Sequence, residues 1–191
     1  YGHAMSEPLP MSDFRFLTPE EIEKFDVMRV ADDAPKGYIV ECDLHYPESI
    51  HDLHNNYPLA PEHMTVTRDM LSDYALSFGD QIPRPSKKLI LSLYDKSLYV
   101  THYRNLKFYV AHGLQLTKIH RVLEFTQAPW LKPYIDLCTA ERQKAATTFE
   151  ADFHKLSANS CFGKTMENLR GRQNIRLIAD RNKFIKAVSK P

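Results

Sequence analysis

The sequence of 191 residues predicts an α+β fold. Segments with the alternating pattern of half-buried strands occur up to residue 125, a pair of helices with clear start signals follows, and a basic segment ends the chain. Strands and helices that are segregated along a chain are typical of α+β domains. We therefore expect antiparallel strands and helices, followed by a helical hairpin.

The N-terminal segment combines turn signals with one short helix. Residues 1–16 contain two prolines and are predicted to be rich in turns. Thr18-Pro-Glu-Glu21 follows, with threonine as N-cap, proline in the first turn and glutamate at the third position. This pattern predicts a helix that ends near Phe25.

One strand is clear in the next part of the chain. Residues 38–45 alternate apolar with polar side chains, as a half-buried strand does. Residues 46–63 contain several prolines and are predicted to form a loop. Residues 68–78 are predicted to form a helix that Gly79 ends.

The middle of the chain predicts strands around a helix. Two apolar runs within residues 88–101 flank Asp95-Lys-Ser97, which is typical of a β-hairpin. Residues 103–112 are predicted to be helical, with Gly113 as the C-terminal stop. Residues 114–125 alternate well enough to predict another strand.

Two helices are predicted next. Pro129 opens a helix that runs to about Ala145, and Thr147-Thr-Phe-Glu150 is a capping box for the second helix. Phe149, Phe153 and Leu156 follow a helical spacing, so we expect one face of the second helix to lie in the core.

Composition excludes several classes of protein. The sequence contains no run of about 18 apolar residues, the length that a membrane span requires. Its N-terminal part has no basic segment followed by an apolar stretch, which is the pattern of a secretory signal. Cys42, Cys138 and Cys161 stand far apart and are predicted to be free thiols in a reducing compartment. We therefore expect an intracellular protein without membrane partners.

The charge is distributed unevenly along the chain. Residues 1–63 hold thirteen acidic against four basic residues, whereas residues 151–191 hold nine basic against three acidic residues. A basic segment with a net charge of about +6 is a possible electrostatic footprint for nucleic acid. A solvated helix face or a mobile tail has the same composition, so charge alone leaves these alternatives open.

The second predicted helix carries residues suited to bind phosphate. Lys155 and Asn159 are four residues apart and Phe162 follows three later, so all three lie near one face. Lysine binds phosphate as a point charge, and Arg142 on the preceding helix can add a forked contact. Gly163 allows a backbone or a base pair to approach closely. An ordinary amphipathic helix with an exposed lysine is the alternative.

This run, Lys155-Leu-Ser-Ala-Asn-Ser-Cys-Phe-Gly163, resembles the fingers motif of family B DNA polymerases, Lys-x-x-x-Asn-Ser-x-Tyr-Gly. Tyr1-Gly-His-Ala-Met5 resembles the end of their first palm motif, Asp-x-Asn-Asn-Leu-Tyr-Gly-x-Ala-Met. Residues 37–47, 51–55 and 58–62 resemble the palm segment that follows this motif, and residues 96–130 resemble the strands and helix that lead into the fingers. Order and spacing are most similar to the type 2, protein-primed branch of Maverick/Polinton-type transposons and related viruses.

The resemblance implies a DNA-directed DNA polymerase that uses two Mg²⁺ ions for nucleotidyl transfer. Its partners would be a DNA template-primer, dNTPs and a terminal protein as primer. The nucleotide-binding residues would be Tyr1 under the sugar, Arg142 and Lys155 on the triphosphate, and Asn159 and Phe162 at the nascent base pair. Ser160, Gly163 and Lys164 would contact DNA.

The resemblance also implies a division of the chain. Residues 1–125 would be a partial palm, residues 126–168 the fingers helices, and residues 169–191 a basic segment leading back toward the palm. The metal-binding aspartates of the family would lie before Tyr1 and beyond Pro191. We therefore expect no catalytic or metal-binding residue within this fragment, and no synthesis by the fragment alone.

Two alternatives remain from the residues themselves. The chain can be a non-catalytic remnant that binds nucleic acid or a partner through its basic segment, and a transposon origin in a eukaryote would make it nuclear. His45, His51 and His54, with Asp43 and Glu48, are candidate ligands for a divalent ion, although their spacing matches no standard zinc site. Asp43 itself is predicted to be a structural or a surface residue.

Overall fold

The computed structural model describes residues 1–79, 87–173 and 175–189. An antiparallel sheet and several helices make this part of the chain α+β, which confirms the predicted class. The chain divides into two compact units. The sheet unit comprises residues 8–130, and the helical unit comprises residues 1–7 with residues 131–191. The first seven residues thus cluster with the helices of the C-terminal part.

The helices are α1 (Gly2–Ser6), α2 (Pro19–Glu23), α3 (His51–His54), α4 (Asp73–Leu76), α5 (Tyr103–Ala111), α6 (Lys132–Lys144), α7 (Thr148–Thr165) and α8 (Arg181–Val188). The strands are β1 (Leu9–Phe16), β2 (Lys36–His45), β3 (Glu62–Thr65), β4 (Lys87–Ile90), β5 (Lys96–His102) and β6 (Gln115–Ala128). Over the described ranges, none of these helices is long and apolar enough to cross a bilayer.

The main sheet has the strand order β1-β6-β2-β5, with every neighbouring pair antiparallel. Val40 of β2 pairs with Val122 on one side and with Thr101 on the other. Because side chains alternate between the faces of a strand, Val40 and its neighbours at alternate positions share one face, where they pack with Leu106 of α5. The predicted strands at residues 38–45 and 114–125 are confirmed.

Local end signals were predicted correctly. The Thr18 backbone amide donates to Glu21 Oε2 at 2.9 Å, and the Glu21 amide donates to Thr18 Oγ1 at 3.4 Å, which completes the capping box of α2. Gly113, with a φ of +101°, follows the end of α5. Both signals depend only on neighbouring residues, which is why the sequence reveals them.

The predicted hairpin around Asp95-Lys-Ser97 is wrong. Strand β4 pairs with β3 in a separate two-stranded sheet, whereas β5 pairs with β2. The Asp95 carboxylate accepts the backbone amide of Tyr46 at 2.7 Å, and the buried Lys96 ammonium donates to Glu62 at 2.8 Å. These side chains bind partners far away in the sequence, so the segment joins two sheets instead of closing a hairpin.

Three other segments also differ from expectation. Residues 1–16 form α1 and β1 instead of a series of turns, and residues 46–63 include α3 and the start of β3. Residues 68–78 contain one 3₁₀ turn and α4, not a single helix. These elements are short or pair with distant strands, so local periodicity gives little signal for them.

Candidate functional site

Helices α6 and α7 form a hairpin whose turn is fixed by the predicted capping box. The Glu150 amide donates to Thr147 Oγ1 at 3.2 Å, and the Thr147 amide donates to Glu150 Oε2 at 3.2 Å. The box starts α7 at Thr148 and so determines which face each later residue occupies. The predicted capping box is confirmed.

The predicted apolar face of α7 is not a core face. Phe149, Phe153 and Leu156 are 80%, 56% and 67% exposed. Among the described residues of the helical unit, the buried apolar ones are instead Met5 of α1 with Ile135 and Cys138 of α6. Helical spacing predicted that these three side chains share a face, but spacing carries no information about what covers that face.

A cleft of about 140 Å³ lies among α1, α6 and α7. Its lining includes Arg142 from α6 and Lys155 and Asn159 from α7, so the structure brings three of the predicted nucleotide-binding residues together. Cys138, Thr139, Ile135, Gly2, His154 and Ala158 complete the lining. Among the described residues, no carboxylate lines this cleft.

The cations of the helix hairpin fall into two groups. Lys132 pairs with Asp136 at 2.9 Å, Lys144 with Glu141 at 3.0 Å, and Lys164 with Glu167. The side chains of Arg142 and Lys155 form no hydrogen bond or ion pair with any residue of the described ranges. The two cations without a partner are therefore the two that line the cleft.

Arg142 and Lys155 are both exposed, and because neither has an acidic partner among the described residues, their charges create a positive potential in the cleft. The Arg142 guanidinium offers a planar fork of donors, and the Lys155 ammonium offers a compact charge. Asn159 adds an amide that can donate or accept. This combination of donors suits an anion with several oxygens, such as a polyphosphate.

An aromatic stack lies in the same unit. The rings of Tyr1 and Phe162 are 4.3 Å apart between centroids and 21° apart between planes. Tyr1 directly precedes Gly2 of the cleft lining, and Phe162 follows Asn159 by three residues on α7. The structure therefore joins these two predicted site residues to each other and sets them beside the cleft.

The three predicted DNA-contacting residues lie farther along α7. The Ser160 hydroxyl donates to the Ser157 carbonyl oxygen at 2.9 Å, and Lys164 pairs with Glu167. A methyl group at Gly163 would meet no heavy atom within 4 Å, so the backbone there is open to a ligand. Their contact with DNA stays a prediction.

Sequence reasoning missed six residues of the cleft: Gly2, Ile135, Cys138, Thr139, His154 and Ala158. Cys138 and Thr139 precede Arg142 by one helical turn, and this spacing was the signal that would have found them. His154 directly precedes Lys155 but belongs to no motif. Cys138, like Cys42 and Cys161, is a free thiol.

The candidate histidine ligands are occupied by other contacts. His45 Nδ1 lies 2.9 Å from Asp95, His51 Nε2 donates to the Tyr46 carbonyl at 3.2 Å, and His54 Nδ1 lies 2.7 Å from the Tyr46 hydroxyl. Over the ranges that the structure describes, no three His, Cys, Asp or Glu side chains are grouped to hold a metal ion.

Asp43 makes its contacts within the main sheet. Its carboxylate accepts the backbone amide of Leu98 at 2.8 Å and lies 2.8 Å from His120 Nε2. These contacts hold the pKa of Asp43 below its ordinary value. The hydrogen bond from the Leu98 amide is the larger cause, and His120 is the smaller one. The structural role predicted for Asp43 agrees with these contacts.

Comparison of the chain with known families and proteins adds no further assignment. No family model, curated protein or solved structure matches it.

Proposed function

We propose that this chain is the palm–fingers part of a type 2 family B DNA polymerase, in which the α6–α7 cleft holds the triphosphate of the incoming nucleotide. The single observation that carries the proposal is the pair of unpartnered cations, Arg142 and Lys155, in a cleft whose described lining contains no carboxylate. The other described cations of these helices pair with acidic neighbours.

Each site residue has a specific role in this proposal. Arg142 and Lys155 bind the phosphates, which places the nucleotide for attack by the primer 3′-hydroxyl. Tyr1 lies under the sugar, and Phe162 and Asn159 line the nascent base pair. The stacking of Tyr1 on Phe162 supports a shared sugar and base position beside the phosphates. Ser160, Gly163 and Lys164 face the DNA.

Mg²⁺ would be supplied elsewhere in the complete polymerase. In family members the two ions are held by palm aspartates that lie outside the segment resembled by this chain. When bound, the ions would supply Lewis-acid activation of the attacking hydroxyl and charge stabilisation of the leaving pyrophosphate. The described side chains here are not grouped as metal ligands, so we assign them to binding and orientation. A terminal protein would provide the priming hydroxyl.

A second function rests on a different observation. Arg170, Arg172 and Arg176 are exposed, as are Arg181, Lys183 and Lys186 on or beside α8. Such a surface is suited to bind the nucleic-acid backbone without a nucleotide, as a non-catalytic remnant would. Its binding would weaken steeply with rising salt because released counterions drive the association.

The test uses a longer polypeptide that also carries the two aspartate segments. Lys155→Gln and Arg142→Gln should each lower kcat/KM for a dNTP in primer extension by about ten- to hundredfold, as expected for a lost charge-assisted contact. Lys132→Gln is the matched control, because Lys132 already pairs with Asp136 at 2.9 Å and neither residue lines the cleft. Its kcat/KM should stay within about twofold of the parent.

The same variants separate the two functions. Under the polymerase proposal, Lys155→Gln impairs incorporation and leaves DNA affinity nearly unchanged. An active parent in which Lys155→Gln and Lys132→Gln behave alike would refute the role of the cleft. A longer polypeptide that binds DNA with a steep salt dependence but never extends a primer would favour the remnant.

A further inference from the structure

A second cavity, of about 570 Å³, lies within the sheet unit. Its walls come from α3, from the segment that follows β3, and from the segment between β4 and β5. This volume falls in the range of pockets that bind small molecules, roughly 300–1,000 Å³. The cavity shares no described residue with the cleft of the helical unit.

Most of the described lining is apolar. Met70 and Ile90 are half-buried in it, and Leu91 and Tyr94 at its rim are 53% and 57% exposed. Apolar surface that stays in contact with water is unfavourable, so a ligand that covers these side chains gains free energy from their burial. The apolar wall therefore suits a ring or another compact apolar group.

Two polar side chains at the α3 wall are free to bind a ligand. His51 Nε2 donates to the Tyr46 carbonyl at 3.2 Å, so in the neutral imidazole Nδ1 is an acceptor, and no described residue donates to it. The Asn55 side-chain amide is exposed and has no partner in the described part of the chain. These residues are four apart at the end of α3 and thus lie on one side of it.

The described lining contains no Asp, Glu, Lys or Arg side chain. The nearby Lys96 ammonium is buried behind Ser92, donates to its hydroxyl at 2.7 Å, and is compensated by Glu62 at 2.8 Å. A charged ligand would lose hydration in this cavity without gaining a counter-charge. The cavity thus favours an uncharged ligand, whereas the cleft between α6 and α7 favours an anion.

We propose that this cavity binds a small, uncharged ring compound that carries a hydrogen-bond donor next to an acceptor, as a primary carboxamide does. The ring packs against Met70 and Ile90, the ligand N–H donates to His51 Nδ1, and the ligand carbonyl accepts from the Asn55 amide. The site is separate from the proposed nucleotide site and does not depend on it.

The experiment titrates the full 191-residue chain with benzamide at pH 8 and follows the backbone amides by NMR. Benzamide should saturate with a Kd of about 1 mM, as expected for a ligand of this size. The responding amides should include those of residues 51–55 and 66–70. Benzoate has the same ring but carries a negative charge and lacks the donor, so it should bind at least about tenfold more weakly.

Variants test the assigned contacts. Asn55→Ala should weaken benzamide binding by about three- to tenfold, the effect of one lost hydrogen bond. Asn56→Ala is the matched control, because Asn56 is also exposed but does not line the cavity. Its Kd should stay within about twofold of the wild-type value. Val66→Phe places a ring in the cavity and should abolish the response, with its amide spectrum as the check on folding.

Three results would overturn the proposal: no saturable response to benzamide, equal affinity for benzamide and benzoate, or equal effects of Asn55→Ala and Asn56→Ala. None of them bears on the proposed function, because primer extension by the Lys155→Gln variant tests the other cleft. Conversely, loss of the nucleotide role of Lys155 would leave the benzamide titration unchanged.

Discussion

The sheet unit and the cleft of the helical unit use their charged side chains in opposite ways. In the sheet unit, the half-exposed Lys36 ammonium donates to Glu124 at 2.7 Å, and the buried Lys96 ammonium donates to Glu62 at 2.8 Å. In the helical unit, both cations of the cleft lack an acidic partner among the described residues. Charges of the first kind stabilise the fold, and charges of the second kind stay available for an external anion.

Apolar side chains show the same contrast. Leu106 of α5 is fully buried in the core of the sheet unit, whereas Phe149, Phe153 and Leu156 of α7 are largely exposed. Burial is what makes an apolar side chain contribute to stability. We therefore expect the sheet unit to depend on its apolar residues far more than the helical unit does.

The prediction with the largest expected effect tests this contrast by replacing one helical leucine in each unit with alanine. Leu106→Ala should lower the free energy of unfolding by about 2–5 kcal/mol, because it leaves a cavity in a packed core. Leu156→Ala should change it by less than about 0.5 kcal/mol, because the side chain is exposed. Urea unfolding followed by circular dichroism measures both. A loss of several kcal/mol for Leu156→Ala would mean that this face is covered.

The two units also show which features of the fold can be predicted from the sequence. The capping boxes at Thr18 and Thr147 involve residues three apart, so both were predicted. The partner of Asp95 is the amide of Tyr46, 49 residues earlier, and this long-range contact turned an expected hairpin into a link between two sheets. Local signals were readable, whereas the choice of distant partners depends on the whole fold.

In the candidate site, too, some features were predicted from the sequence and others were missed. The spacing on α7 predicted that Lys155 and Asn159 share a face, and the resemblance added Arg142, which lines the same cleft. His154 was missed because no motif includes it. The exposure of Phe153 was missed because periodicity identifies an apolar face without identifying its neighbour.

A second prediction concerns the paired charges of the sheet unit. Burial raises the pKa of the Glu124 carboxyl, but the hydrogen bond and charge of Lys36, the charge of Arg15 and the hydrogen bond from Tyr38 outweigh burial, so the pKa lies below its ordinary value. A carboxyl whose pKa is lowered by folding stabilises the fold above its unfolded pKa of about 4.5. That contribution disappears as the pH falls through the lower folded value.

Glu124→Gln should therefore cost about 1–2 kcal/mol at pH 7, because it removes the charge that receives these donors. The difference between the variant and the wild-type chain should shrink as the pH falls below about 4.5. Urea unfolding at pH 7 and pH 3 measures it. Glu23→Gln, at an exposed carboxylate, is the control and should change stability little at either pH. An undiminished difference at pH 3 would contradict the electrostatic account.

The prediction with the smallest expected effect compares the same capping interaction in the two units. Thr147→Ala removes the acceptor of the Glu150 amide, which now donates at 3.2 Å, and Thr18→Ala removes the acceptor of the Glu21 amide at 3.4 Å. Each should cost about 1 kcal/mol. Hydrogen exchange of the affected amide should accelerate by about fivefold in each variant.

If the helical unit opens independently of the sheet core, Thr147→Ala accelerates exchange along α7 and leaves the amides of β2 and β6 unchanged. Equal acceleration in those strands would show that the two units unfold together, and the contrast between them would then concern ligand binding alone.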